Sequence, residues 1–205
     1  MRVVFDFGAV LFRWRPAVVV AQCWPHRARS ELEMQQTVAQ LFQAYGGDWG
    51  DFDLGLIDAA QTATRIHQRT GWPEEELRQL IAFAPLELQP QPAVLSLVLQ
   101  LKARGVPRSF LSNMPKPFAL ALEAANRLDE WFDSGVFSGR EQLSKPNPEL
   151  FELAANRFDS EPQDCLLIDD HPANVESARA CGWQAHLFSD ANGLREALKA
   201  QKLLD

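Results

Sequence analysis

Four short polar clusters in this chain hold residue types that can do chemistry together: Asp6, Ser112-Asn113, Lys145 and Asp169-Asp170. Carboxylates gathered in one place repel one another unless a cation sits among them. Oxygen-only ligation with few protein ligands suits Mg²⁺. A lysine and a hydroxyl beside such an ion complete a cradle for an anion. A carboxylate next to a metal can also attack phosphorus and form an acyl phosphate. Taken singly, each cluster has a blander reading. A strand-end Asp is commonly a turn or cap residue, and Lys-Pro at 145–146 reads as a solvated charge before a turn. Ser-Asn can open a loop, and Asp169-Asp170 can cap the helix that begins near Ala173. Their common position at the ends of apolar runs favours chemistry.

The elements that must position them follow from hydrophobic pattern. Val3 to Phe5 is a short apolar run ending at Asp6, the signature of a buried strand whose carboxyl end carries a carboxylate. Val106 to Leu111 leads into Ser112, Gly135 to Phe137 leads into Ser138, and Cys165 to Ile168 leads into Asp169. Helical patterns lie between and after them, over Ala93 to Arg104, Phe118 to Leu128, Pro148 to Phe158, Ala173 to Cys181 and Gly193 to Leu204. This alternation predicts an α/β fold with a parallel sheet. Ligands bind such sheets in the crevice beyond the carboxyl ends of the strands. From about Trp14 to Leu88 the alternation breaks into helical patterns alone, over Ser30 to Tyr45, Ile57 to Arg69 and Glu74 to Ala84. The three prolines of Pro85 to Pro92 then form a stiff return. The expected organisation is a core of residues 1–13 and 89–205 with a helical cap of 14–88 inserted after the first strand.

Composition narrows the classes. The 205 residues carry a formal net charge of −7, which argues against a nucleic-acid surface, because that needs a clustered Lys/Arg footprint. Three widely spaced cysteines support neither a zinc site nor a disulfide framework. No apolar run approaches the roughly 20 residues needed to cross a bilayer, and the start does not read as a signal peptide, so the expected location is cytoplasmic. The expected partner is a small phosphorylated metabolite; oligomeric state is not readable.

The four clusters, with their flanks, resemble the motifs of the haloacid dehalogenase-like hydrolases. In order they are Val-Val-Phe-Asp6-Phe-Gly8, Phe-Leu-Ser112-Asn113, Lys145-Pro-Asn-Pro, and Leu-Leu-Ile-Asp169-Asp170-His-Pro-Ala-Asn174. The resemblance implies a Rossmann-like core with a small α-helical cap, and a Mg²⁺-dependent phosphatase acting through an aspartyl phosphate on Asp6. It implies that Mg²⁺ is held by Asp6, the carbonyl of Gly8 and Asp170, with Asp169 and Asn174 beside them and Asp169 orienting Lys145 or ligating through water. Ser112, Asn113 and Lys145 are then the phosphoryl-binding groups, with Ser112 and Lys145 also serving catalysis. The stretch Asp51 to Ile57 is similar to one found in many caps of this family.

The departure is Gly8. Most phosphatases of the family carry a second Asp there as general acid and base, a role worth roughly 10²–10⁴-fold in rate, or about 3–5 kcal/mol of barrier. A bacterial subgroup that includes a phosphatase of α-D-glucose 1-phosphate is similar at this motif, which suggests a sugar 1-phosphate with its better leaving group. His171, Asp51, Asp53 and Asp58 are the candidate substitute acids. Arg13 and Arg15 could reach a second anionic group of the substrate or equally form a basic hinge beside Asp or Glu, and Trp14, Trp24 and Trp49 read first as core packing and second as a platform for a sugar. Two rival functions remain: a metal-free 2-haloacid dehalogenase, and a non-catalytic relative that binds a phosphorylated ligand. Dehalogenases also lack the second Asp, but Asp169-Asp170 is built to hold a cation they do not need.

Overall fold

The apolar runs that end in Asp6, Ser112 and Asp169 are adjacent strands of one parallel sheet in the computed structural model, which describes all 205 residues. The strands are β1 (Arg2–Phe5), β2 (Arg108–Ser112), β3 (Ser134–Phe137), β4 (Cys165–Asp169) and β5 (Gln184–Leu187), arranged β3-β2-β1-β4-β5. Phe5 pairs with Phe110 on one side and with Ile168 on the other. Asp6, one residue on, therefore lies level with Asp169, and Ser112 is one row beyond. The chain order reverses across β1, so all three open into the crevice where an open parallel sheet binds its ligand.

Every residue of β2 and β4 is buried, as strands covered on both faces must be. Along β1 the side chains alternate. Val3 and Phe5 join the larger apolar cluster, while Val4 joins a second one with Leu111, Leu167 and Phe151 on the opposite face.

The segment after β1 folds into five helices: α1 (Pro16–Cys23), α2 (Glu31–Phe42), α3 (Gly47–Asp53), α4 (Ala59–Thr70) and α5 (Glu74–Phe83). Local signals explain their ends. Ser30 accepts the Glu33 N–H at the start of α2, and Asp58 and Gln61 form a reciprocal capping box on α4. Three glutamates in the first turn of α5 complement the helix dipole. The remaining helices are α6 (Pro92–Ala103), α7 (Lys116–Ala125), α8 (Leu128–Trp131), α9 (Ser138–Glu141), α10 (Pro148–Arg157), α11 (Pro172–Ala180) and α12 (Ala191–Ala200). No helix is long and apolar enough to cross a membrane.

A tight contact beside β3 helps fasten the helical insert to the core. Ser138 Oγ, at the end of β3, donates to the Asp53 carbonyl at 2.6 Å and accepts from the Met114 N–H at 2.8 Å. Gly55 has φ +69°, and a Cβ there would lie 2.2 Å from the Gly139 carbonyl oxygen. Only glycine allows that approach.

Three boundaries differ from the sequence expectation. β2 runs through Ser112 itself and starts two residues later than the pattern suggested, because the Val106 N–H still bonds back to Leu101 at the end of α6. The pattern from Phe118 to Leu128 is α7, which starts earlier and stops at Ala125, followed by the separate turn α8. The helical period from Ser30 to Tyr45 breaks at Phe42, because Gln43, Ala44 and Tyr45 all take positive φ.

Candidate active site

The carboxyl ends of β1 and β4 place two carboxylates on one ammonium. Lys145 Nζ lies 2.6 Å from Asp169 Oδ2 and 2.9 Å from Asp6 Oδ1, with all three side chains at least seven-eighths buried. Asp169 is saturated, since its Oδ1 also accepts the His171 N–H at 2.9 Å and Asn174 Nδ2 at 3.0 Å. Lys145 is held by its own backbone. The Asn113 side chain accepts the Lys145 N–H and donates to the Lys145 carbonyl, both at 2.8 Å. Asp170 projects from the turn into α11 with no ion-pair partner, and its carboxylate, that of Asp6 and that of Asp169 have oxygens within 4.8 Å of one another. Ser112 Oγ is buried and bonds to nothing.

Charge balance explains how these groups titrate. Burial works against the Asp169 carboxylate, yet Lys145, the His171 N–H and Asn174 hold it below the usual range. Burial likewise opposes the Lys145 charge, but Asp169 and Asp6 together raise its pKa. One ammonium cannot satisfy both acids, and Asp169 is the nearer. Asp6 is therefore pushed up to about 7, by burial first and by the charges of Asp169 and Asp170. Asp170 is raised too, by burial and by Asp169. Fully ionised, three acids against one base would carry a net −2, the charge a divalent cation would balance.

The cluster forms the floor of a cleft of about 390 Å³ between the sheet and the helical insert. Asp6, Gly8, Asn113, Lys145, Asp170 and Asn174 line it, while Ser112 and Asp169 are buried and do not. Its apolar lining includes Trp14, Trp49, Leu54, Leu88, Met114 and Phe118. Of the candidate substitute acids, Asp58 is occupied capping α4 and Asp51 pairs with Arg65 at 2.7 Å. His171 lines the cleft. Asp53 lines it as well, only 8% exposed, and burial alone pushes its carboxyl up to about 8. Arg13 and Arg15 do not line the cleft, and Arg15 pairs with buried Glu87. Trp24 packs edge-on against Trp72 inside the insert, 5.2 Å between centroids, and does not line the cleft. Sequence reasoning missed the Asn113–Lys145 lock, the Ser138 fastening and Tyr45, which also lines the cleft. The run Tyr45-Gly46-Gly47 was the one available signal, a pair of glycines that break the helix beside a phenol.

The family model for haloacid dehalogenase-like hydrolases matches residues 2–182. The chain belongs to this family. It is therefore a hydrolase with the Rossmann-like core that its motifs led us to expect. It is similar to the sesquiterpene phosphatase astK of Aspergillus oryzae, 26% identical over 180 residues that span 87% of this chain and 85% of that protein. A shorter similarity, 30% over 82 residues, relates 40% of this chain to 32% of the phosphoglycolate phosphatase of Escherichia coli. Among solved structures it resembles a family enzyme from Bacteroides thetaiotaomicron in complex with magnesium and inorganic phosphate. The TM-score is 0.71 at 20% identity, covering 92% of this chain and 93% of the other, a likeness of fold.

Proposed function

We propose that this hydrolase is a Mg²⁺-dependent phosphatase that cleaves a small phosphate monoester through an aspartyl phosphate on Asp6. The observation that carries the proposal is the imbalance of the cluster, three carboxylates on one ammonium beside a buried hydroxyl with nothing to bond. The donor set fits the ion. Asp169 is saturated, so Asp6 Oδ2, Asp170 and the Gly8 carbonyl are the oxygens left to hold it, and oxygen donors suit Mg²⁺. Bound there, the ion would neutralise charge on the phosphoryl group. Asp6 attacks phosphorus, the alcohol departs, and water then releases phosphate from Asp6. Lys145 offsets charge on the nucleophile and the transferring group, with Asp169 and Asn174 fixing its position. Ser112 Oγ and the Asn113 N–H donate to phosphoryl oxygens. We assign residues 1–13 and 89–205 to the catalytic core and 14–88 to the cap that selects the alcohol.

The cleft favours an apolar alcohol over the sugar 1-phosphate suggested by Gly8. Its lining holds one lysine, which is engaged on the floor, and no arginine, so a second anionic group on the substrate has nothing to pair with. The similarity to a sesquiterpene phosphatase supports the same substrate class. The test is phosphate release from a prenyl monophosphate, glucose 1-phosphate and phosphoglycolate, each with Mg²⁺ or with EDTA. The expected result is EDTA-sensitive turnover with the prenyl monophosphate preferred. EDTA-insensitive halide release from a 2-haloacid would establish the dehalogenase instead. Inertness toward all three, with no rise in melting temperature from Mg²⁺ plus beryllofluoride, would favour the non-catalytic relative.

A further inference from the structure

We propose that Tyr45 is the general acid and base of this active site, taking the place of the carboxyl that Gly8 lacks; the inference rests on the phosphatase proposal above. The geometry runs from Gly8 outward. A Cβ at Gly8 would meet the Trp14 side chain at 3.8–4.0 Å, so the space an acid would have entered is bounded by the indole. The same edge of that indole carries Nε1, bonded to Cδ1, and it donates to Tyr45 Oη at 2.9 Å. The phenol oxygen is thus tied to the indole beside Gly8, and Tyr45, 46% exposed, lines the same cleft as Asp6. Its own proton goes to no protein group, so it is free to donate to a ligand.

The backbone is bent to put it there. Gln43, Ala44 and Tyr45 hold φ of +48°, +51° and +63°, a run of left-handed non-glycine residues of the kind found where function dictates geometry. The turn is held from behind by the Gln43 side chain, which accepts the Asp48 N–H at 3.0 Å. The phenol is protonated at neutral pH at its ordinary value, and burial raises it further against the lowering effect of the Trp14 N–H, so it is in the state an acid needs.

The steps balance. As the Asp6 oxygen bonds to phosphorus, the bond from phosphorus to the alcohol oxygen breaks. That oxygen keeps the electron pair and takes the Tyr45 proton, leaving a phenolate stabilised by the Trp14 N–H. The phenolate next takes a proton from water as the water oxygen attacks phosphorus. The bond from phosphorus to Asp6 breaks, which restores the carboxylate and the phenol.

The experiment compares kcat/KM of wild type and Tyr45→Phe on an alkyl phosphate and on 4-nitrophenyl phosphate, whose leaving group needs no proton. kcat/KM reports steps through the first phosphoryl transfer, so an acid's removal must show a leaving-group dependence. The expected loss is about 10²-fold or more on the alkyl ester and at least tenfold smaller on the aryl ester. Trp14→Phe, which keeps a ring but removes the N–H, should give an intermediate loss with the same dependence. Adding Gly8→Asp to Tyr45→Phe should restore alkyl turnover at least tenfold, since its Cβ meets only ordinary contacts. Turnover of the aryl ester certifies that each variant is folded. An equal loss on both esters, or none, overturns the inference and leaves the phosphatase proposal standing. A wild type inert toward both overturns the phosphatase proposal and this inference with it.

Discussion

Replacing Asp53 by Asn should stabilise the protein, and by an amount that grows with pH. Asp53 is buried against the cleft, and its carboxyl is raised from an ordinary 3.8 to about 8 by burial alone. A group whose folded pKa is raised in this way binds a proton in the folded state that the unfolded chain has released. Stability is therefore fully present below about pH 4 and is lost as pH rises toward 8. The slope is about 1.36 kcal/mol for each pH unit. Between pH 5 and pH 8 the wild type should lose about 4 kcal/mol through this one group. Water entering from the cleft reduces that figure, so about 4 kcal/mol is the upper value. The amide introduced by Asp53→Asn has no such titration. Asp6 and Asp170 are also raised, but both proteins carry them, so the difference between the two isolates Asp53. The assay is urea unfolding of both proteins at pH 5, 6, 7 and 8 in EDTA. For a chain of this size the gap at pH 8 should also appear as a melting-temperature difference of about 5 °C or more. A stability difference that stays flat across the range would refute the argument.

Further perturbations separate structure from chemistry. Ser112→Ala removes a buried hydroxyl with no partner, so unfolding free energy should hold or rise by about 1 kcal/mol. The kcat/KM of the same variant should fall roughly 10²-fold for want of a phosphoryl donor. Lys145→Met strands Asp6 and Asp169 as unpaired buried acids, and urea unfolding without metal should show a loss of about 3–5 kcal/mol. No phosphate release should remain in that variant. Gly55→Ala forces a Cβ to 2.2 Å from the Gly139 carbonyl at a left-handed φ. Calorimetry should register a loss exceeding about 2 kcal/mol.

What could be read in advance divides along physical lines. The strand-end residues Asp6, Ser112 and Asp169 were legible because a buried parallel strand announces itself as an apolar run, and the polar residue that ends it must face the crevice. β5 was not, since Gln184–Leu187 is a polar, half-exposed edge strand that pairs only with β4. Arg15 read equally as an anion binder and as a basic hinge residue beside an acid, and only its partner Glu87, distant in sequence, decides for the second. The Asn113–Lys145 lock and the Ser138–Asp53 fastening join residues 32 and 85 apart, and no local pattern marks such pairs. Tyr45 was hidden because its period continued the apolar face of α2, and only three left-handed residues turn it out of that helix and into the cleft.

The central claim is that Asp6 carries the phosphoryl group, and borohydride trapping during turnover tests it most directly. The enzyme is mixed with Mg²⁺ and a prenyl monophosphate, quenched with borohydride, digested, and its N-terminal peptide analysed by mass spectrometry. An acyl phosphate on Asp6 is reduced to homoserine, so the account predicts homoserine at position 6, absent without Mg²⁺ and absent in Asp6→Asn. Sustained phosphate release with Asp6 unmodified, or with the label at another residue, would contradict it.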